Sequence, residues 1–246
     1  LVMAGHSKWA NIKHAKGAND IKRGKVFAKL SREVTIAARI GGGDPAMNPR
    51  LRMMLLKCRS ANMPKDNIER AISKGVGGDD GTVFEDLTYE IYGPAGVAIL
   101  AEISTDNRNR TASDIRSYVT KAGGNLATSG AVTRLFQKKG QIVIARENAD
   151  EDELMELALE AGAEDFKAEP EGFTIVTEPD TFEEVAKAVE AQGIATEVAE
   201  ISQIPDLVAP VEGSAVKTLT TLLEKIEDHD DVNSVYHNAE LPDDPE

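Results

Sequence analysis

Apolar residues recur along this chain in three successive rhythms. From Asp20 to the run Gly41-Gly42-Gly43, Phe27, Leu30, Val34 and Ala38 fall in one arc at about 100° per residue. Lys22, Lys25, Lys29, Arg32 and Arg39 fall on the far side, which predicts an amphipathic helix with a basic stripe, capped at Asp20. Two shorter helices follow. One runs from about Pro49 to Ala61, with Asn48 as cap and proline in first position, and the other from Pro64 to Lys74, closed by Gly75. The three predict a small bundle, and "GVGGDDG" (75–81) reads as a linker. Ahead of them Gly5 to Ala18 has no apolar period and reads as an arm; Leu1 and Val2, before Met3, are set aside.

The rhythm changes at residue 82. "FEDLTYEIYGPAGVAILAEISTDN" predicts two strands joined at Gly93-Pro94-Ala95-Gly96, then a helix capped by Asp106 or Asn107 and closed by Gly123-Gly124. A third pattern comes twice: "GQIVIARE", a helix over Asp150 to Ala161 and "AEDFKAE", then "GFTIVTE", a helix over Thr181 to Ala191 and "ATEVAEIS". This βαββαβ order is the ferredoxin-like split unit. A last helix (Ser214 to Glu227) and strand (Val232 to His237) have no core of their own, so they are expected to complete the sheet begun at residue 82. The fold class is α+β in three domains: a basic helical domain over 3–80, a discontinuous α+β domain from 81–130 plus 207–246, and an inserted, acidic ferredoxin-like domain over 131–206.

Charge sharpens this division. The 246 residues carry a formal net charge of −14, yet residues 1–80 hold 16 Lys and Arg against 7 acids. Residues 131–206 hold 6 basic side chains against 19 acidic ones. A basic segment on an acidic chain points to a polyanion. The alternative is that the basic domain packs against the acidic ones. One cysteine, Cys58, excludes a disulfide framework and a thiolate metal cluster and suits a reducing compartment. There is no apolar run of membrane-spanning length and no apolar stretch of the secretory kind behind the N-terminal charges. A cytoplasmic, monomeric protein is expected, with no membrane partner.

"MAGHSKWANIKH", "KRGKVFAKLSREVTIAARIGGGDP", "NPRLR", "NMPKDNIERAI", "YEIYGPAGVAI", "TDNRNRT", "GGNL", "AEDF" and "VYHN" occur here in one order. Together they resemble the YebC family, which includes the mitochondrial translational activator of cytochrome c oxidase, over nearly the whole chain. The resemblance implies a three-domain α+β fold with a helical N-terminal domain. It implies either a cytoplasmic DNA-binding transcriptional regulator or a ribosome-bound translation factor that helps difficult sequences through peptide-bond formation. Ala15 departs from the pattern, which has a basic residue there, as in "KHRKG".

The residues expected to meet nucleic acid are Lys8, Trp9, Lys13, His14, Lys16, Lys22, Arg23, Lys25, Lys29 and Arg32. Cations at this density suit phosphates, and Trp9 either stacks on a base or docks the arm onto the bundle. His6 and His14 either bond phosphate or cap local backbone. Arg108 and Arg110, at a predicted helix start, form a possible second phosphate contact; the alternative is an ion pair within the middle domain. The junction at Asn62-Met63-Pro64 matches a helix-turn-helix only weakly, and Lys65, Asp66 and Asn67 are the side chains it would offer to base edges. "GQIVIARE" lacks the aromatics with which RNA-recognition sheets stack bases. "EDHDD" (227–231) is a weak metal candidate and better read as a solvated helix end. The chain shows no dinucleotide or P-loop motif, and Ser7 with His6 and Asp20 lies on an arm unsuited to catalysis. No enzyme activity, cofactor or metal is expected. The partner is nucleic acid, either DNA or structured RNA of the ribosome, and a protein-interaction scaffold is the third reading.

Overall fold

The computed structural model describes residues 20–78 and 81–242, with side chains from residue 24 onward. Residues 20–78 and 138–202 make one compact unit, and residues 81–137 and 203–242 make another. The fold is α+β, as the periodicities predict.

In the first unit, α1 (Asp20–Gly41), α2 (Pro49–Ser60) and α3 (Lys65–Gly77) pack around Leu30, Val34, Ala37, Leu51, Cys58, Met63 and Ala71. Buried Asn48 caps α2 by accepting the Leu51 N–H (3.1 Å), and its amide donates to the Ala37 and Gly42 carbonyls (2.8 Å each). One expectation fails at Gly75. It does not close α3, which continues to Gly77, but lies buried within it. A Cβ at this position would sit 2.5 Å from the Thr35 carbonyl oxygen and 2.7 Å from Ala38 Cβ. Glycine is there because two helix backbones meet, not because a helix ends.

The remainder of this unit is a sheet in the order β5 (Asp165–Glu169), β6 (Gly172–Thr177), β4 (Phe136–Ala145), β7 (Val198–Pro205). With α5 (Glu151–Glu160) and α6 (Phe182–Ala191) it has the ferredoxin-like strand order. Ile142, Ile144, Phe173 and Ile175 pack with Leu154, Ala158, Phe182, Val185 and Val189 of these helices. Met53 and Leu56 of α2 join that cluster from the helical segment.

In the second unit, β3 (Asn125–Leu126), β1 (Glu85–Tyr92), β2 (Ala98–Thr105) and β9 (Val232–His237) form a four-stranded sheet. Pro94–Gly96 makes the hairpin turn, with Ala95 and Gly96 at positive φ. Strand β9, far along the chain, pairs antiparallel with β2, so the last segment does return to the sheet begun after residue 81. Helices α4 (Arg108–Lys121) and α7 (Ser214–Glu227) bury Ile115, Val119, Leu219, Leu222 and Ile226 against Ile91, Ile99 and Ile103. The two-residue pairs β3 and β8 (Ala209–Pro210) with β10 (Ala239–Glu240) are too short to leave a periodic trace in sequence.

The opposite face of this sheet is closed by residues 127–136, and Glu90 holds that segment. Its carboxylate, 8% exposed, accepts the backbone N–H groups of Gly130 (2.5 Å), Val132 (2.6 Å) and Thr133 (2.9 Å). Burial alone would raise its pKa, but these N–H groups outweigh burial and hold it below the ordinary carboxylate value. A depressed folded pKa contributes stability that is present above about pH 4.5 and lost as pH falls through the folded value. Glu90→Gln is expected to cost about 2 kcal/mol at pH 7 by urea denaturation, with the gap to the parent narrowing below about pH 4.5. A gap independent of pH would mean that the carboxylate charge plays no part.

Candidate nucleic-acid interface

Helix α1 carries the described part of the basic segment. Lys22 and Arg23 lie in its first turn; Lys8, Trp9, Lys13, His14 and Lys16 lie outside the described residues. Lys25, Lys29 and Arg32, at i, i+4 and i+7, share one stripe, with Lys25 exposed and the other two half-buried. Glu33 beside them is buried. Burial raises its pKa, and the positive charges of Lys57 and Arg50 oppose that rise. The Glu33 carboxylate is therefore withdrawn from solvent.

The cations of α2 have a different fate. Arg52 pairs with Glu183 (2.9 Å), Lys57 with Glu200 (3.3 Å) and Arg59 with Glu190, while Ser60 and Thr196 share a hydroxyl hydrogen bond (3.0 Å). Arg52 and Arg59 are seven residues apart, as are Glu183 and Glu190, so α2 and α6 run side by side in the same direction over two turns. Part of the basic excess thus packs against the acidic insertion, as the alternative sequence reading allowed.

The start of α3 offers little to base edges. Lys65 pairs with Glu69 (3.5 Å), and Arg70 donates to the Asn67 side chain and the Asp66 carbonyl. Two of the three side chains that a recognition helix would offer here, Lys65 and Asn67, are turned on neighbours in the same helix.

In the second unit, Asn107 caps α4 by accepting the Arg110 N–H (3.1 Å). Arg110 Nη2 lies 2.8 Å from both Asp106 Oδ1 and Asp231 Oδ2. Asp231, only 3% exposed, also accepts from the Thr111 (2.7 Å) and Thr105 (3.0 Å) hydroxyls through the same oxygen. Its backbone N–H donates to His229 Nδ1 (3.1 Å), and its carbonyl accepts the Ser104 N–H (2.9 Å). This corrects the solvated-end reading of "EDHDD": Asp231 is a buried anchor, because three donors meet there. The ion-pair alternative for Arg110 is realised. Arg108, Arg116 and Lys121 on the same helix are exposed and form no ion pair with any described carboxylate. The sequence reading passed over Arg116 and Lys121.

Other chemistry finds little support among the described residues. Burial, with Glu33 nearby, pushes the Cys58 thiol up to about 11, so at neutral pH it stays protonated and a poor nucleophile. Among the described residues no three His, Cys, Asp or Glu side chains are grouped to hold a metal ion. The ferredoxin-like sheet is closed on both faces at its centre, since Gln141, Val143 and Thr174 are buried as well as Ile142, Ile144 and Phe173. Such a sheet offers no open platform for stacked bases.

Comparison with known proteins covers both units. The model of the TACO1/YebC protein N-terminal domain matches residues 7–78, and that of the TACO1/YebC second and third domain matches residues 84–239. A "probable transcriptional regulatory protein" of Desulforapulum autotrophicum is 52% identical over 241 residues, 98% of each chain. Another of that name, from Dictyoglomus thermophilum, is 49% identical over 242 residues, covering 98% of this chain and 97% of its own. The crystal structure of a conserved hypothetical protein from Aquifex aeolicus superposes with a TM-score of 0.78 at 43% identity, over 91% of this chain and 92% of that one. With matches running through the helical, ferredoxin-like and discontinuous segments alike, the chain belongs to the TACO1/YebC family.

Proposed function

We propose that this protein is a cytoplasmic, non-enzymatic regulator of gene expression that binds nucleic acid, with DNA as the partner that the names of its relatives suggest. The observation that carries the proposal is the charge division. A chain of net charge −14 gathers 16 Lys and Arg against 7 acids in residues 1–80, and Lys25, Lys29 and Arg32 align along one stripe of α1. Such a segment grips phosphates while the acidic remainder discourages unproductive contact.

A second reading, structured RNA of the ribosome, is favoured by the α3 geometry. The Lys65 and Asn67 side chains are engaged with Glu69 and Arg70, so recognition rests more on backbone and shape, which is how folded RNA is read. Competition binding of the full chain at about 50 mM salt tests the proposal. Binding to a random DNA duplex and to ribosomal RNA is expected; no binding to either sinks it. A duplex sequence that competes at least about 10³-fold better than random DNA assigns an operator. Co-sedimentation with ribosomes that survives excess random duplex assigns the RNA partner.

A further inference from the structure

Four of the seven Lys and Arg in residues 80–137 and 203–246 stand in one helix, α4, among 18 acids in the same segments. The placement of these charges is not uniform. Arg110 is bound by Asp106 and Asp231, and Asp114, the helix's one acid, faces His229 at 3.4 Å. What remains on the solvent side is Ser113, Arg116, Ser117, Thr120 and Lys121, at i, i+3, i+4, i+7 and i+8. At 100° per residue these five span an arc of about 140° that contains no carboxylate. Together they line one shallow, open depression.

We propose that this face of α4 is a second contact for the phosphodiester backbone of the nucleic acid, resting on the reading under Proposed function and separate from the basic N-terminal segment. The argument is charge complementarity. Two cations that pair with no described carboxylate, flanked by three hydroxyls, offer donors to an acceptor, and phosphate oxygens are the acceptors that Arg, Lys, Ser and Thr side chains take along a duplex. A protein partner with a carboxylate surface would meet the same cations, but it would be repelled by the acidic segments around the helix, as nucleic acid is. What favours nucleic acid is that the basic segment of residues 1–80 already points to a phosphate backbone.

The test uses the full chain, with Arg116→Gln and Lys121→Gln combined, binding a random-sequence DNA duplex and a ribosomal RNA fragment across a salt series. Both side chains are exposed and form no ion pair with a described carboxylate, so the thermal midpoint should stay at the parent value. The slope of log K against log salt is expected to become shallower by about 2, with affinity at about 100 mM salt falling about 10- to 100-fold. An unchanged slope overturns the inference and leaves the proposed function intact, whereas failure of the parent protein to bind any nucleic acid overturns the proposed function itself. Lys217→Gln with Lys225→Gln, exposed on neighbouring α7, is the control for net charge. An equal loss there overturns the assignment to α4. Inorganic tripolyphosphate should compete only weakly; competition as strong as that of duplex means a free-phosphate site and also overturns it.

Discussion

Asp231→Ala is expected to lower the unfolding free energy by about 3 kcal/mol, a large effect for one surface-adjacent turn. The reason lies in what Oδ2 holds. Thr105, Thr111 and Arg110 all donate to it, and they belong to the end of β2 and the start of α4, while Asp231 belongs to the turn before β9. The pairing of β9 with β2 shifts register between Glu102 and Ile103, close to this point. The carboxylate therefore pins the two segments of a discontinuous unit where their ladder is irregular. Removing one partner of a buried charged pair typically costs about 3–5 kcal/mol. The lower end applies because Arg110 is half-exposed and keeps Asp106. Arg110→Ala should cost clearly less, since both threonine hydroxyls still satisfy Asp231. Urea denaturation followed by tryptophan-independent far-ultraviolet dichroism checks both. A loss under about 1 kcal/mol for Asp231→Ala would mean that the β2–β9 ladder holds the unit without the anchor.

That anchor shows where sequence stops being legible. The helix at Ser214 to Glu227 follows from periodicity alone, since Val216, Leu219, Leu222, Leu223 and Ile226 repeat on one face. Asp231 carries no period. In "EDHDD" five polar residues in a row look alike, and burial of one of them depends on Thr105 and Thr111, more than 100 residues earlier. Gly75 was misread for a related reason. A glycine after an apolar period is most often a helix end, and the close approach of Thr35 and Ala38 that requires it here belongs to another helix. The α2 cations are equally opaque: Arg52, Lys57 and Arg59 pair with Glu183, Glu200 and Glu190 of the acidic insertion, and nothing in their own composition announces those partners. By contrast, the face of α4 was readable in principle. Ser113, Arg116, Ser117, Thr120 and Lys121 keep helical spacing, and the missing signal was a search for polar periodicity as well as apolar periodicity.

Changing Lys8, Lys13 and Lys16 together to glutamine should give the largest loss of binding. These residues fall outside the described ones, so the expectation comes from their charge and their spacing within nine residues of the arm. Each phosphate contact removed makes the slope of log K against log salt shallower by about 0.9, so three shift it by roughly 2.7 and lower affinity at about 100 mM salt on the order of 10²- to 10³-fold. The loss should be similar for every duplex sequence, because phosphate contacts position without reading bases. Trp9→Ala separates two states of the partner. If Trp9 stacks on an unpaired base, affinity for single-stranded or looped RNA should fall by about 1–3 kcal/mol while affinity for a closed duplex stays put. If Trp9 docks the arm onto the bundle, both affinities should fall together and stability with them. Fluorescence anisotropy of both probes with both variants reads these outcomes. A triple variant that keeps its salt slope would move the grip from the arm to the Lys25, Lys29 and Arg32 stripe of α1.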